Sequence, residues 1–293
     1  MLEPFLKWPG GKRWLARQFT EIFPTWPGRY IEPFLGGGAV FFHLAPRRAI
    51  LADCNRELVN AYACIKKYSA SIHRRLQYLH RRHCADLYYA KRDERPSDPI
   101  KRAVRFLYLN RTCFNGMYRV NLNGDFNVPI GTKSTVQYEP CYLDKIAAAL
   151  RYALLRPWDF ERTIARAQHG DFVFIDPPYT VMHNNNNFVK YNASLFSWVD
   201  QQRLAVAVKE AGRRGAMIML LNGDHDSIRS LYAGFGNHYS VSRSSVLSAK
   251  SQHRRKTTEL LITNYSIDPS RIMALQHNRR ALVSNSRAPS SRS

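Results

Sequence analysis

The chain has 293 residues, 45% of them hydrophobic, and its 44 Lys and Arg against 22 Asp and Glu give a net charge of +22. This composition supports one large domain or a core with an inserted subdomain, and it excludes a globally disordered chain. We find no run of about 18 uncharged apolar residues and no basic-then-apolar leader, so we expect neither a membrane span nor secretion.

The five cysteines are scattered and never spaced as Cys-x-x-Cys, so we expect no disulfide framework and no zinc or other metal site. A reducing cytoplasm is the expected location. The positive charge is concentrated between Lys66 and Arg111, where 13 Lys and Arg stand against 4 Asp and Glu. Such a segment favours a nucleic-acid partner, although charge alone would also fit ribosomal or membrane-surface binding.

The first 60 residues predict a β-loop-α-β unit of the kind found in nucleotide-binding sheets. Apolar spacing predicts a helix over Lys12 to Phe23 and a strand over Tyr30 to Phe34. The Gly-rich turn Gly36–Gly38 follows that strand, and a helix is expected directly after the turn. A second strand over Ala49 to Ala52 ends in Asp53, which is the position of a ribose-binding acid in such units.

The middle of the chain predicts a basic helical region and then a loop-rich one. Residues 55–110 carry apolar residues at helical spacing, interrupted by two prolines. Residues 110–140 are rich in Asn, Gly, Arg and aromatics, and Asn123-Gly124 predicts a hairpin turn. A further helix is expected over Tyr142 to Leu155.

The α/β alternation returns after Gly170. Residues 172–175 predict a buried strand that stops at Asp176-Pro177-Pro178-Tyr179, because two prolines end a strand ladder. The later expectations are an Asn-rich loop (Asn184 to Asn187), a helix over Asp200 to Arg213 capped by Ser197 or Asp200, a strand over Ala216 to Leu221, a short helix over Ser227 to Tyr232, and a final antiparallel pair, Tyr239 to Ser242 with Thr258 to Tyr265.

These elements predict an α/β protein whose catalytic domain is interrupted. Residues 1–56 and 157–268 are expected to form the catalytic domain. Residues 57–156 are expected to form an inserted, mainly helical recognition domain that contains a β-hairpin. Residues 269–293 hold five arginines and no acid, which predicts a flexible basic tail.

The segment from Asp176 to Tyr179 lies just past the carboxyl end of a predicted strand, where open α/β sheets bind ligands. It offers one carboxylate, two carbonyls fixed by proline rings and one aromatic face. Such a set can hold a flat, hydrogen-bonding substrate whose exocyclic amine is to be modified.

Six blocks of the sequence together resemble the Dam-type DNA adenine N6-methyltransferases, which use S-adenosylmethionine. The blocks are Phe5-Leu6-Lys7-Trp8-Pro9-Gly10-Gly11-Lys12, Glu32-Pro33-Phe34-Leu35-Gly36-Gly37-Gly38, Ala52-Asp53-Cys54-Asn55, Phe106-Leu107-Tyr108-Leu109-Asn110-Arg111, Phe126-Asn127-Val128-Pro129-Ile130-Gly131 and Asp176-Pro177-Pro178-Tyr179. The resemblance implies a Rossmann-like methyltransferase sheet and methyl transfer to N6 of an adenine flipped out of duplex DNA.

The resemblance also implies where the cofactor binds. The implied cofactor-binding residues are Trp8, Lys12, Glu32, Phe34, Gly36, Gly38, Asp53 and Asp176. Lys12 is expected to reach the methionine carboxylate, and Asp53 is expected to accept from both ribose hydroxyls. Taken alone, Trp8 would also fit a core residue, Lys12 a surface lysine, and Asp53 a helix N-cap.

Asp176, Pro177, Pro178 and Tyr179 are the implied catalytic residues. The Asp176 carboxylate and the Pro177 carbonyl can accept the two N6 hydrogens of adenine. These bonds would draw electron density onto a poorly nucleophilic nitrogen and orient it for in-line displacement, without a metal. Tyr179 would stack on the flipped base.

The resemblance further implies a set of DNA-contacting residues typical of relatives that methylate GATC. They are Lys7, Arg111, Phe114, Asn115, Met117, Arg119 and Pro129. Lys7 is expected to contact a guanine, while Arg119 fits either a guanine edge or a phosphate contact. Apolar residues here would meet thymine methyls or fill the gap left by the flipped base.

Several alternatives remain open at the level of sequence. Methylation of cytosine N4 or of RNA adenine would use a similar loop, and a catalytically silent DNA-binding regulator would keep the same fold. The Asn184–Asn187 loop fits closure on DNA or mere filler, and the tail fits added salt-sensitive affinity or a dispensable extension. We expect a monomer acting on double-stranded DNA in the cytoplasm of a bacterial or phage-infected cell.

Overall fold

The computed structural model describes residues 2–116, 118–121, 124–180, 196–244 and 256–277, and these residues form one seven-stranded sheet covered by helices. The strands are β1 (Tyr30–Glu32), β2 (Ala49–Ala52), β3 (Ala153–Arg156), β4 (Phe172–Ile175), β5 (Met217–Gly223), β6 (Asn237–Ser244) and β7 (Lys256–Thr263). The described helices are α1 (Arg13–Gln18), α2 (Ala39–Leu44), α3 (Arg56–Arg81), α4 (Ala85–Asp93), α5 (Pro99–Thr112), α6 (Tyr142–Ala149), α7 (Phe160–Ile164), α8 (Trp198–Arg213), α9 (Asp226–Leu231) and α10 (Pro269–His277), with 3-10 turns at Thr20–Ile22 and Phe114–Gly116.

The strand order is β3-β2-β1-β4-β5-β7-β6. The first five strands in that order are parallel, and β7 runs antiparallel to both β5 and β6. The order reverses between β1 and β4, which makes this pair the topological switch point where such sheets bind ligands. The predicted Rossmann-like α/β fold is therefore confirmed.

The central strands β1, β2 and β4 are buried on both faces, as their β-branched and aromatic residues require. In β4, Phe172 and Phe174 belong to one apolar cluster, whereas Val173 and Ile175 belong to the other. The first cluster continues from the sheet into α3, α5 and α6, and the second lies beneath α7, α8 and α9. The helices between β2 and β3 therefore share a core with the sheet.

Helix α3 carries the chain from the sheet into the middle helices. Asn55 caps it by accepting hydrogen bonds from the N–H groups of Glu57 and Leu58. Its backbone departs from helical geometry at Tyr68, where φ is −138°. Beyond that point the helix continues to Arg81 and packs with α5 and α6.

The predicted helix over Tyr142 to Leu155 is wrong in its second half. Helix α6 ends at Ala149, and β3 follows as an edge strand paired in parallel with β2. Side chains in β3 alternate between buried and exposed, because one face meets the core and the other meets solvent. The strand lies inside the 57–156 segment predicted as an insertion, so the sheet includes part of that segment.

Two further segments differ from the predictions by more than two residues at an end. The first helix is shorter than expected, because α1 ends at Gln18 and a 3-10 turn follows. The predicted tail is ordered in its first residues, since α10 packs against β6 and buries Ile272 and Leu275. Residues 278–293 lie outside the described residues. Ser197 forms the predicted cap of α8, with a capping box to Asp200.

Within the described residues, no helix is both long and apolar enough to cross a bilayer.

Candidate active site

The carboxyl ends of the parallel strands meet along one edge of the sheet, and four acidic residues lie there. Asp53 follows β2, Asp176 follows β4, and Glu32 ends β1. Glu259 of β7 is paired in register with Gly223 at the end of β5, which brings a fourth carboxylate to the same edge. We call Glu32, Asp53, Asp176 and Glu259 the acidic edge.

Asp176 has a mostly buried side chain that is 18% exposed. The Nζ of Lys12 lies 2.9 Å from its Oδ1, and the Tyr179 hydroxyl donates to the same oxygen at 3.3 Å. Burial raises the pKa of the Asp176 carboxyl, while the charge of Lys12 opposes that rise and the charge of Glu259 adds to it. Because both contacts end on Oδ1, the carboxylate retains Oδ2 for an incoming amine.

Lys12 is buried, and several groups surround its ammonium. Its Nζ donates to the Gly10 carbonyl at 3.0 Å, and the Glu259 Oε2 lies 3.7 Å away. The centroid of the Tyr179 ring is 5.0 Å from Nζ. The sequence predicted that Lys12 reaches the cofactor carboxylate, whereas the described side chain is directed to Asp176.

Sequence reasoning missed Glu259. The residue precedes three fully buried apolar residues of β7, 260–262, and is itself 3% exposed. An acid directly before such an apolar run was the available signal, because charged side chains are almost never buried unless they are paired. Its partner, Lys12, lies near the other end of the sequence.

The Gly-rich turn after β1 brings backbone close to Trp8. Gly36 has φ +47°, and a Cβ at this position would lie 2.7 Å from Cδ1 of Trp8, so the approach requires glycine. Asp53 closes the turn, since its Oδ2 accepts from the Gly36 N–H at 3.0 Å and its Oδ1 accepts from the Asn55 N–H at 2.9 Å. Gly38, at φ +65°, is the N-cap of α2. Trp8 and Asp53 thus flank the same turn.

Three members of the acidic edge, Glu32, Asp53 and Asp176, suit a positively charged ligand. Burial raises the pKa of Glu32 well above its usual value; the hydrogen bond from the Tyr30 hydroxyl, at 2.9 Å, opposes the rise, and the charges of Asp176 and Asp53 add to it. Burial also raises the pKa of Asp53, against the hydrogen bonds from Asn55 and Gly36. A sulfonium cation beside these carboxyls would relieve their mutual repulsion, so the residues present fit S-adenosylmethionine.

Phe34 follows β1 and joins an aromatic group. Its ring stacks on Phe160 with centroids 5.5 Å apart and meets Phe196 edge-on at 5.6 Å. Phe160 is the first residue of α7, and the sequence analysis did not single it out. These rings give the predicted cofactor residue Phe34 an apolar, rigid setting.

Most of the predicted DNA-contacting residues are exposed and share one surface. We call Lys7, Phe114, Asn115, Arg119 and Pro129 the recognition face. Phe114 is 51% exposed, so its ring is accessible from solvent. Its backbone N–H donates to the Pro129 carbonyl at 2.9 Å, and the Arg119 Nε donates to the Asn127 Oδ1 at 3.0 Å.

Asn110 connects the two chain segments that carry the recognition face. The residue is 1% exposed; its Oδ1 accepts from the Lys7 N–H at 3.0 Å, and its Nδ2 donates to the carbonyls of Lys7 at 2.8 Å and Gly116 at 3.3 Å. Gly116 packs so closely that a Cβ there would lie 2.3 Å from Cδ of Lys7. A buried amide therefore fixes Lys7 against the turn that presents Phe114 and Asn115.

Arg111 is half-buried, whereas the residues of the recognition face are exposed. Its guanidinium donates to the Gln137 carbonyl at 2.9 Å and lies 4.3 Å from the centroid of the Tyr138 ring. Partial burial lowers the pKa of Lys7, and the positive charges of Lys133 and Arg111 lower it further. Lys133 and Arg111 thus add positive charge around Lys7, which would favour an anionic ligand such as a phosphate.

Some predicted features lie outside the described residues. They are Met117, the Asn184–Asn187 loop and Asn123 of the predicted hairpin turn. On either side of that turn, Val120 and Phe126 form an antiparallel bridge.

A mostly parallel sheet with a Gly-rich first turn, a strand-end acid and an Asp-Pro-Pro-Tyr loop defines a Rossmann-like methyltransferase. The chain belongs to the D12 class N6 adenine-specific DNA methyltransferases, whose family profile matches residues 8–246. The protein is therefore an enzyme that methylates N6 of adenine in DNA. Membership of the family implies S-adenosylmethionine as the methyl donor and DNA as the substrate.

Individual relatives cover most of the chain. A type II methyltransferase of Lactococcus lactis subsp. cremoris, M1.LlaDCHI, is 36% identical over 276 residues, which are 90% of this chain and 96% of the relative. The DNA adenine methylase of Haemophilus influenzae is 34% identical over 88% of this chain and 92% of its own length. The Escherichia coli DNA adenine methylase is 33% identical over 88% and 93%.

Proposed function

We propose that the enzyme transfers a methyl group from S-adenosylmethionine to the adenine of GATC, after that base has flipped out of duplex DNA. The observation that carries the proposal is the Asp176 carboxylate, held by Lys12 at the carboxyl edge of β4 with Oδ2 directed to no described donor. The loop can serve any exocyclic amine, but the family favours adenine N6 over cytosine N4 and over a silent regulator.

The cofactor-binding residues act by placing and orienting the donor. Asp53 would accept from the ribose hydroxyls, because each carboxylate oxygen keeps one lone pair beyond its backbone bond. Trp8 and Phe34 supply apolar walls, and Gly36 lets the ligand approach the backbone. When bound, S-adenosylmethionine supplies an electrophilic methyl group. Glu32 and Asp176 would place carboxyl groups beside its sulfonium, where the positive charge would favour their ionised forms.

The catalytic loop orients the amine. The Asp176 Oδ2 and the Pro177 carbonyl would accept the two N6 hydrogens, so the nitrogen lone pair turns out of the ring toward the methyl group. The proline rings of Pro177 and Pro178 fix the loop backbone, and the Tyr179 ring offers a stacking surface for the flipped base. Proximity and orientation then supply much of the acceleration.

The recognition face provides the sequence preference. Arg119 and Lys7 would contact guanine, while Phe114, Met117 and Pro129 meet apolar parts of the bases or fill the space of the flipped adenine. Asn115 offers an amide for a base edge, and Arg111 would add positive charge for contact with DNA. No metal takes part in the proposed reaction. We further propose that the enzyme acts as a monomer on double-stranded DNA in the cytoplasm.

The first test is methyl transfer to duplex oligonucleotides that differ only in GATC. We expect N6-methyladenine to form in the GATC duplex and the initial rate to fall strongly when any one base pair of the site is changed. Equal rates on duplexes with and without GATC would refute the proposed target and leave adenine methylation standing. Methylation of single-stranded RNA at a comparable rate would refute the duplex-DNA assignment.

The second test separates base reading from phosphate contact at Arg119. Arg119→Ala should lower kcat/KM on GATC by about 10- to 100-fold, which corresponds to about 1–3 kcal/mol for a bidentate guanine contact. Its rate on altered sites should change much less. Arg151→Ala is the matched control, because Arg151 is equally exposed but precedes edge strand β3. A uniform loss on all duplexes would indicate a phosphate contact.

A further inference from the structure

The ammonium of Lys12 lies between two buried carboxylates from different strands. Its Nζ is 2.9 Å from the Asp176 Oδ1 and 3.7 Å from the Glu259 Oε2, and the Lys12 and Glu259 side chains are only 3% and 4% exposed. The shorter distance is a charge-assisted hydrogen bond, whereas the longer one is an ion pair without a hydrogen bond. In a low-dielectric setting both interactions act strongly on the position of the lysine.

The position of Glu259 is fixed by strand pairing. Its backbone is in register with Gly223 of β5 on one side and with Val241 of β6 on the other, so the carboxylate is held at the carboxyl edge of the sheet. A carboxylate on a paired, buried strand moves less than one on a loop. Asp176, in contrast, lies on the loop that must meet the substrate.

The amine acceptor needs electron density. If Lys12 were paired with Asp176 alone, its full charge would withdraw density from the carboxylate that must polarise N6–H. Sharing the ammonium with a second carboxylate reduces that withdrawal and still holds the Asp176 Oδ1 in place. The remaining oxygen then accepts from the substrate more strongly.

We propose that Glu259 is a positioning residue for methyl transfer, which shares the Lys12 ammonium with Asp176 and so keeps Asp176 oriented and electron-rich as the acceptor for the adenine amine. This inference rests on the proposed role of Asp176. It assigns to the antiparallel part of the sheet a function in catalysis that acts through Lys12 and Asp176.

Among the described residues, charged and titratable groups from four places in the fold face Asp176. Lys12 comes from the N-terminal segment, Glu259 from β7, Tyr179 from the catalytic loop and Glu32 from β1. The negative charge of Glu259 raises the pKa of Asp176, so removing that charge should let Asp176 ionise at lower pH. The direction of this shift distinguishes charge sharing from a merely structural role.

The test is a pH profile of single-turnover methyl transfer by Glu259→Gln. We expect the plateau rate to fall about 10- to 100-fold, the KM for DNA and the Kd for cofactor to stay within about twofold, and the acid limb of the profile to move to lower pH. Glu259→Asp retains the charge and should restore the acid limb toward that of the parent enzyme. Thr263→Val, another fully buried position on β7, should leave the profile unchanged.

Two outcomes would overturn the proposal: an acid limb of Glu259→Gln that stays in place or moves to higher pH, and a loss of rate shared equally by Thr263→Val. If Glu259→Gln folds poorly, Glu259→Asp takes its place as the test. This variant retains the charge but displaces the carboxylate, so its rate should fall while the acid limb of its pH profile stays in place. Asp176→Asn, assayed alongside, separates the proposed role of Asp176 from the proposed role of Glu259. Full activity of that variant refutes the role of Asp176, whereas an inactive Asp176→Asn with a parental Glu259→Gln profile refutes only the role of Glu259.

Discussion

An aspartate flanks each end of strand β4, Asp171 before it and Asp176 after it. The pKa values of the two carboxyl groups are shifted in opposite directions. At the amino end, Asp171 is 3% exposed and binds the Arg29 side chain and backbone, with contacts from 2.6 Å to 3.3 Å, and the Gln168 N–H at 3.0 Å. Burial acts to raise the pKa of Asp171, but these hydrogen bonds hold that pKa below its usual value. At the carboxyl end, burial raises the pKa of Asp176 despite Lys12.

The difference separates a structural charge from a functional one. Asp171 has all its acceptor capacity met by groups that join the starts of β1 and β4, so its charge stabilises the sheet. Asp176 shares one cation with Glu259 and keeps an oxygen for the substrate. A buried carboxylate with few hydrogen-bond and charge partners in the folded protein can still bind a ligand. Perturbed pKa values therefore concentrate at functional sites.

The largest effect is expected from Asp176→Asn. The amide offers a weaker acceptor to N6–H and places an NH2 near Lys12, so the single-turnover rate of methyl transfer should fall about a thousandfold. Because Asp176 also belongs to the acidic edge, S-adenosylmethionine binding should weaken by up to about tenfold, so the rate is measured at saturating cofactor. The free energy of unfolding should change little. If the rate falls less than about tenfold, Asp176 is not the acceptor.

Asp171→Asn should show the reverse pattern. The variant leaves Arg29 without its counter-charge, and we expect the free energy of unfolding in urea to fall by about 2 kcal/mol, a value below that for a fully buried pair because Arg29 is 34% exposed on its side chain. Asp144→Asn is the control, because Asp144 is exposed in α6 and should change stability by less than about 1 kcal/mol. A loss of rate without a loss of stability would contradict the structural role of Asp171.

Asp53→Asn tests another member of the acidic edge. Loss of the carboxylate should weaken S-adenosylmethionine binding about 10- to 100-fold, because a strong acceptor for ribose and one negative charge near the sulfonium are both removed. Isothermal titration calorimetry measures this change without catalysis. An unchanged Kd would show that Asp53 acts only through its bonds to Gly36 and Asn55.

The smallest expected effects are changes in the free energy of unfolding with pH. They have opposite signs for the aspartates at the two ends of β4. Asp171 has a lowered pKa in the folded state, so the stability it contributes is present above its ordinary pKa near 4 and is lost as pH falls below that value. Asp176 has a raised pKa, so its contribution is present below the ordinary value and is lost as pH rises through the folded value. In urea unfolding at several pH values, the free energy of unfolding should therefore fall less steeply with decreasing pH for Asp171→Asn than for the parent enzyme. For Asp176→Asn it should fall more steeply.

Much of the fold follows from local patterns in the sequence. Strands β1, β2 and β4, the Gly-rich turn and the cap of α8 were predicted because each is encoded by neighbouring residues. The apolar residues of β3 were assigned to a helix, since two adjacent leucines fit a helix or an edge strand equally well. Only pairing with β2 decides between them.

By itself the sequence determined the family, the Asp-Pro-Pro-Tyr loop and the acids that end the strands, because these depend on residue types at short spacing. Tertiary structure decided which charges meet. Lys12 was expected at the cofactor carboxylate, but the sheet brings Asp176 and Glu259 to its ammonium, and Asn110 joins Lys7 to Gly116 across a long stretch of chain. The partner of a buried charge or amide is selected by the packing of distant segments, and local sequence carries no record of that choice.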